Sequence, residues 1–290
     1  MGYQMTNQRE RGRSRIDLHL HSTASDGTTP PSGVVELAAA HGLRSIALTD
    51  HDSTSGIAEA REAGSRIGVE VIAGIELSTA VKRGELHMLG YLIDPENEIL
   101  RERLQRFRDS RERRAETMVD RLREAGIPIT LERVLDLAAG GSIGRPHVAR
   151  ALVEAGQATS VSDAFERYLV RGKVGYVPHL RPSPADAIEF IHAAHGVAVL
   201  AHPYSTRDVE TTVSELAAAG LDGLEVFYSL YNDEQQAFLA MLADQHDLVP
   251  TGGSDFHGTG EREGHEIGSA NVPDETIDRL RRVVAARRCS

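Results

Sequence analysis

A chain of 290 residues, 40% hydrophobic and 26% charged, can bury a sizeable core, as one barrel-like domain or as a domain carrying an insertion. Its net charge of −11 excludes a general electrostatic binder of duplex DNA, and no apolar run approaches the roughly 20 residues of a membrane span. The single cysteine, Cys289, excludes a disulfide framework and a thiolate zinc site, and fits a reducing cytoplasm. An anionic substrate stays open, because acidic side chains that hold divalent cations leave a locally positive site.

Residues 1–14 are polar and Arg-containing, and read as a disordered extension rather than a leader or an anchor. Next, Ile16, Leu18 and Leu20 alternate with Asp17, His19 and His21, the period-two pattern of a strand with two imidazoles on one face. Ser25-Asp26-Gly27 follows as turn chemistry. Pro30-Pro31-Ser32 opens a helix over 33–41, which Gly42 stops. A buried strand at 44–49 ends in Asp50-His51-Asp52. A helix over 56–65 leads to a strand at 69–75 that ends in Glu76, and a further strand at 86–93 carries His87. Such alternation predicts parallel strands in a barrel or an open sheet.

From residue 95 the texture changes. Helices are expected over 98–125, 131–139, 146–155 and 162–170, without strands, so 95–182 reads as a helical insertion. Alternation then resumes with a helix at 185–195 and a strand at 197–201 ending in His202-Pro203. A helix at 209–219, a strand at 223–227, a helix at 233–245 and a strand at 248–252 follow. Ser254-Asp255-Phe256-His257 comes after that strand, and a helix over 275–286 closes the chain. The barrel would therefore comprise 15–94 and 183–290.

The unusual polar residues collect at the strand ends. In a parallel barrel the strand C-termini share one face, so residues distant in sequence meet in one cleft. His87, near the start of its strand, is the one misplaced member. Taken singly, His202 could be a capped strand end and Glu76 a surface carboxylate; one common cause explains the set better. Imidazole and carboxylate without thiolate suit manganese, zinc or iron. There are more such groups than one ion can use, which favours two or three ions sharing a carboxylate. Closely spaced cations activate water and clamp phosphoryl oxygens, pointing to phosphoester hydrolysis.

His19-Leu20-His21, Ser25-Asp26-Gly27, Leu48-Thr49-Asp50-His51-Asp52, Gly74-Ile75-Glu76, His87, Ala201-His202-Pro203 and Ser254-Asp255-Phe256-His257 together resemble the PHP (polymerase and histidinol phosphatase) family. The resemblance implies a distorted (β/α)7, TIM-like barrel of α/β class and a site for two to three divalent ions, manganese foremost, with zinc or iron as alternatives. It implies one ion on His19, His21, Glu76 and Asp255, a second on Glu76, His87 and His202, and a third on Asp26, His51 and His257. Asp17, Asp50 and Asp52 would orient imidazoles from behind, and the nucleophile would be a metal-bridging hydroxide.

The strings at 144–152 and 172–178 look like the helical cap of the nucleotide-cleaving branch, similar to nucleoside 3′,5′-bisphosphate phosphatases and 5′→3′ oligoribonucleases. A small phosphorylated nucleotide or short RNA is then the expected substrate. Arg108, Arg111 and Arg114 share one helix face. They could be solvated partners of Glu112 and Glu116; alternatively, Arg111 and Arg114 form a phosphate fork with Arg145 and His147. His179, His192, His195, His246 and His265 read as structural or exposed. A histidinol-phosphate phosphatase is the nearest rival, disfavoured by the long insertion. A non-catalytic metal-binding regulatory domain is the rival of another class, disfavoured by the full ligand set.

Overall fold

The computed structural model describes residues 15–81, 85–178, 181–258 and 264–288; residues 1–14, His179 and Cys289 lie outside them. Seven strands form one sheet in sequential order: β1 (Ile16–Leu20), β2 (Ser45–Leu48), β3 (Glu70–Ala80), β4 (Glu85–Tyr91), β5 (Val197–Leu200), β6 (Gly223–Tyr228) and β7 (Val249–Gly253). The sheet curls almost shut. Leu20 bridges Phe256 in parallel, and the His21 N–H donates to the Phe256 carbonyl at 2.9 Å. That closure demands Gly253, since a Cβ there would lie 2.4 Å from the His19 backbone nitrogen.

The expectation of uniformly parallel strands is corrected at β4. It pairs antiparallel with both β3 and β5, while the remaining neighbours pair in parallel. A strand reversed between two others brings its own start to the face where they end. His87 therefore sits opposite Ser78 of β3, and its carbonyl accepts the N–H of Ala201, just past the end of β5. Its apparent misplacement in sequence is a correct placement in space.

Alternation along the strands sorts two apolar layers. Ile72, Leu89 and Val199 join a core with Ile277 and Leu280, whereas Ala73, Met88 and Leu200 pack outward against Ile188, Ile191, Leu239 and Leu242. The packing helices are α1 (Pro31–Ala40), α2 (Ile57–Ile67), α7 (Pro184–Ala193), α8 (Val209–Ala218), α9 (Asp233–Gln245) and α10 (Thr276–Arg288). Their ends follow local chemistry. Pro occupies the first turn of α1, and Ser183 and Asp186 form a reciprocal capping box on α7.

Between β4 and β5 lie α3 (Glu98–Glu124), α4 (Leu131–Ala138), α5 (Arg145–Glu154) and α6 (Val161–Ala164). α3 is two-faced along its length. Leu100 and Leu104 pack into the barrel's outer core, while Met118, Val119 and Leu122 enter a separate cluster with Val134, Val148 and Leu152. The expected helix over 162–170 is broken: α6 gives way to a π-turn at Phe165–Leu169. No helix among the described residues is long and apolar enough to cross a membrane.

Candidate metal centre

Glu76 lies in mid-strand, because β3 continues four residues past it to Ala80. Its carboxylate is buried and ringed by imidazoles. Oε2 stands 3.3 Å from His19 Nε2, 3.2 Å from His21 Nε2 and 3.1 Å from His51 Nδ1. Oε1 stands 2.8 Å from His87 Nδ1 and 3.1 Å from His202 Nε2. Asp255 Oδ1 lies 3.4 Å from His19 Nε2 and 3.2 Å from His21 Nε2. Asp26 Oδ1 lies 3.3 Å from His257 Nε2. All nine residues singled out as ligands thus meet in one place.

Three groups of these atoms are tight enough to hold an ion: His19, His21, Glu76 and Asp255; His51, Glu76 and His87; and His21, Asp26, His51 and His257. The first is the expected quartet. In the second, His51 stands in the place expected for His202, while His202 lies with His87 against Glu76 Oε1. The third adds His21 to the expected trio.

The hydrogen-bond accounting points to cations. His19 Nε2, both nitrogens of His21, His51 Nδ1, Glu76 Oε2 and His87 Nδ1 are buried without a hydrogen-bond partner, a costly state unless a ligand satisfies them. Burial opposes ionisation of Glu76, yet His51, His87 and His19 outweigh it and hold the carboxyl well below its usual range. Burial is overcome likewise at Asp255 by His19 and His257, and at Asp26 by His51 and His257. His51 is pushed down to about 3 by burial, which Glu76 and Asp26 only partly offset. The same carboxylates act against burial to lift His21 to about 10 and His19 well above its ordinary value, so divalent cations would bind there in exchange for ring protons.

The three aspartates expected to orient imidazoles do other work. Asp17 accepts the backbone N–H groups of His19, Ser254 and Gly268 at 3.3, 3.0 and 2.8 Å, tying β1 to the loop after β7. Asp50 accepts Ser22 N–H at 2.8 Å and the hydroxyls of Ser22 and Ser25 at 2.7 and 2.6 Å, bracing the turn that carries Asp26. Asp52 accepts Arg111 Nε at 2.7 Å and Ser78 N–H at 3.1 Å. Each carboxylate meets backbone, hydroxyl or guanidinium donors rather than a ring nitrogen.

Residues that sequence reasoning passed over supply the orientation instead. Glu225, fully buried in β6, lies 2.9 Å from His19 Nδ1, and the Tyr228 hydroxyl donates to Asp255 Oδ2 at 2.8 Å. The available signal was a lone carboxylate in the apolar run Leu224-Glu225-Val226-Phe227.

A cleft of about 500 Å³ opens over the centre. Part of its wall is formed by Tyr204, Tyr228 and Tyr231, in ring contact with one another, and part by Arg111, Arg114, Arg145 and Arg181. Arg114 donates through Nε to the Val177 carbonyl at 2.8 Å, and burial next to Arg145 and Arg111 pushes it down to about 10. Arg145 stacks on Phe165, 5.5 Å from its centroid. Two members of the expected phosphate fork are otherwise engaged. Arg111 is paired with Asp52, and His147 accepts the Gly144 N–H at 3.0 Å as part of the start of α5, outside the cleft lining. Arg108 is absent from the lining as well. Arg181 was not foreseen.

Comparison with known proteins agrees with this architecture. The sequence model of the PHP domain matches residues 17–170. The 5′-3′ exoribonuclease Rnm of Escherichia coli is 41% identical over 247 residues, covering 83% of this chain and 84% of that protein. The 3′,5′-nucleoside bisphosphate phosphatase of Chromobacterium violaceum is 37% identical over 260 residues, covering 88% and 91%. A solved structure from Bifidobacterium adolescentis, described as a metal-dependent phosphoesterase, superposes with a TM-score of 0.84 at 37% identity, covering 91% and 94%.

Proposed function

The chain belongs to the PHP domain family and is a metal-dependent phosphoesterase; from that premise we propose that its substrates are small nucleotides, either a nucleoside 3′,5′-bisphosphate or the 5′ end of a short oligoribonucleotide. One observation carries the reading: buried ligand atoms without partners converge on Glu76 at the floor of a cleft whose wall bears Arg114, Arg145 and Arg181. A single phosphate ester would need the floor alone. The arginine wall suits a second phosphate or a nucleotide backbone, because guanidinium matches phosphate oxygens in a fork. The names of the two relatives favour the same substrate class.

Two to three divalent ions, manganese foremost, would be held by His19, His21, Asp26, His51, Glu76, His87, His202, Asp255 and His257. When bound they supply Lewis-acid neutralisation of phosphoryl charge and activation of water. The chain's own part is positional. Glu76 and Asp255 set the negative charge that gathers the cations, and Arg114, Arg145 and Arg181 lie where a second anionic group enters the cleft.

The test is a substrate panel with manganese-loaded protein: adenosine 3′,5′-bisphosphate, a short 5′-phosphorylated RNA and histidinol phosphate. The nucleotides should be hydrolysed, with Glu76→Ala and Asp255→Ala inactive yet folded by circular dichroism. Failure to release product from any phosphorylated nucleotide while metal is bound, or a preference for histidinol phosphate, overturns the proposal.

A further inference from the structure

Six of the seven strands deliver a candidate ligand from within or just beyond their ends; β6 delivers none. Yet β6 buries a carboxylate at the centre of the barrel, on the face opposite Leu224 and Val226, which pack into the outer core. A buried carboxylate is expensive unless donors surround it. Glu225 has two. Oε1 lies 2.9 Å from His19 Nδ1, and Oε2 accepts the backbone N–H of His202 at 2.6 Å. No Lys or Arg is among its described partners.

We infer that Glu225 is a positioning residue, one oxygen on the His19 ring and the other on the His202 backbone, which aligns both imidazoles for cation binding. The inference rests on the metal-centre reading above. Accepting a proton from Nδ1–H leaves the lone pair of His19 on Nε2, the atom that faces Glu76 and Asp255. At the other oxygen, His202 is held at φ 28° and ψ 65°, a conformation that a non-glycine residue keeps only when its surroundings impose it. The Glu225 contact is one such constraint, and it points the His202 ring at Glu76 Oε1. One side chain thereby ties together a ligand of β1 and a ligand just past β5, strands that are not neighbours in the sheet. Three residues on, Tyr228 acts in the same sense on Asp255, so the strand without ligands is the one that orients them.

The decisive substitution is Glu225→Gln. It preserves size, but an amide offers one accepting oxygen where two donors need one each. Either the His202 N–H goes unpaired, or the amide NH₂ faces His19 and drives its proton onto Nε2. Manganese titrated into metal-free protein should then bind roughly 10- to 100-fold more weakly than to wild type, with fewer ions retained after buffer exchange. Wild-type stoichiometry and affinity in the variant would overturn the inference. A second measurement needs no variant. In zinc-loaded wild-type protein labelled with ¹⁵N-histidine, long-range proton–nitrogen spectra should place the remaining ring proton of His19 on Nδ1; a remaining Nε2–H overturns it regardless of how Glu225→Gln folds. The two readings stay separable. Wild type that binds no manganese would sink the metal-centre reading, whereas unchanged binding in the variant would sink only the role of Glu225.

Discussion

Replacing Arg111 by Met separates two roles for this side chain, phosphate ligand and strut between helical segment and barrel. Arg111 is 7% exposed and Asp52 is 3% exposed. Its guanidinium is nearly saturated: Nε and Nη2 donate to Asp52 Oδ2, Nη2 also donates to Ser78 Oγ at 3.0 Å, and Nη1 donates to the Ile143 carbonyl at 3.3 Å. Burial would raise the Asp52 carboxyl, but Arg111 reverses that and holds it below its ordinary value. Removing one partner of a buried pair leaves an uncompensated charge, at a cost of about 3–5 kcal/mol. Arg111→Met should therefore lose that much stability in urea unfolding of metal-free protein at neutral pH. Asp52→Asn combined with Arg111→Met should recover a large part of it, because no charge is then left behind.

The sign of the pH dependence follows from the depressed folded pKa. In wild type the Asp52 contribution is present above the carboxylate's ordinary unfolded pKa and is lost as pH falls through the folded value. In Arg111→Met, burial is no longer opposed by the guanidinium and the carboxyl takes up a proton at higher pH. The stability gap between variant and wild type should narrow on acidification. A loss below about 1 kcal/mol, typical of an exposed ion pair, together with a raised KM, would refute the strut and restore Arg111 as a substrate ligand.

Arg114→Ala should raise KM for a nucleoside bisphosphate far more than for a mononucleotide, with kcat little changed, since it faces the cleft without touching the clustered ligands; parallel Michaelis curves on the two substrates check this. Saturating manganese should stabilise metal-free wild type, by about 2.7 kcal/mol at a hundredfold excess over Kd, and differential scanning calorimetry should show no comparable gain in Glu76→Ala. His147→Ala should cost about 1 kcal/mol through the lost cap at the start of α5, read by urea unfolding, with KM unchanged because the ring lies outside the cleft lining.

The amino-acid order by itself determined what is local or chemical. Strand and helix positions followed from apolar periodicity and from punctuation such as Pro30-Pro31 and Gly42, and mostly agree to within two residues. The nine candidate ligands stood out because imidazoles and carboxylates at strand ends have no packing reason to be there. Folding decided everything that depends on which strand lies beside which. The direction of β4 is set by its partners in the sheet, and only that reversal puts His87 beside Glu76. Partner choice was equally out of reach: Asp52 meets Arg111 across 59 positions and His19 meets Glu225 across 206. No periodicity encodes such contacts, since a hydrogen bond depends on distances that exist only once the barrel has closed.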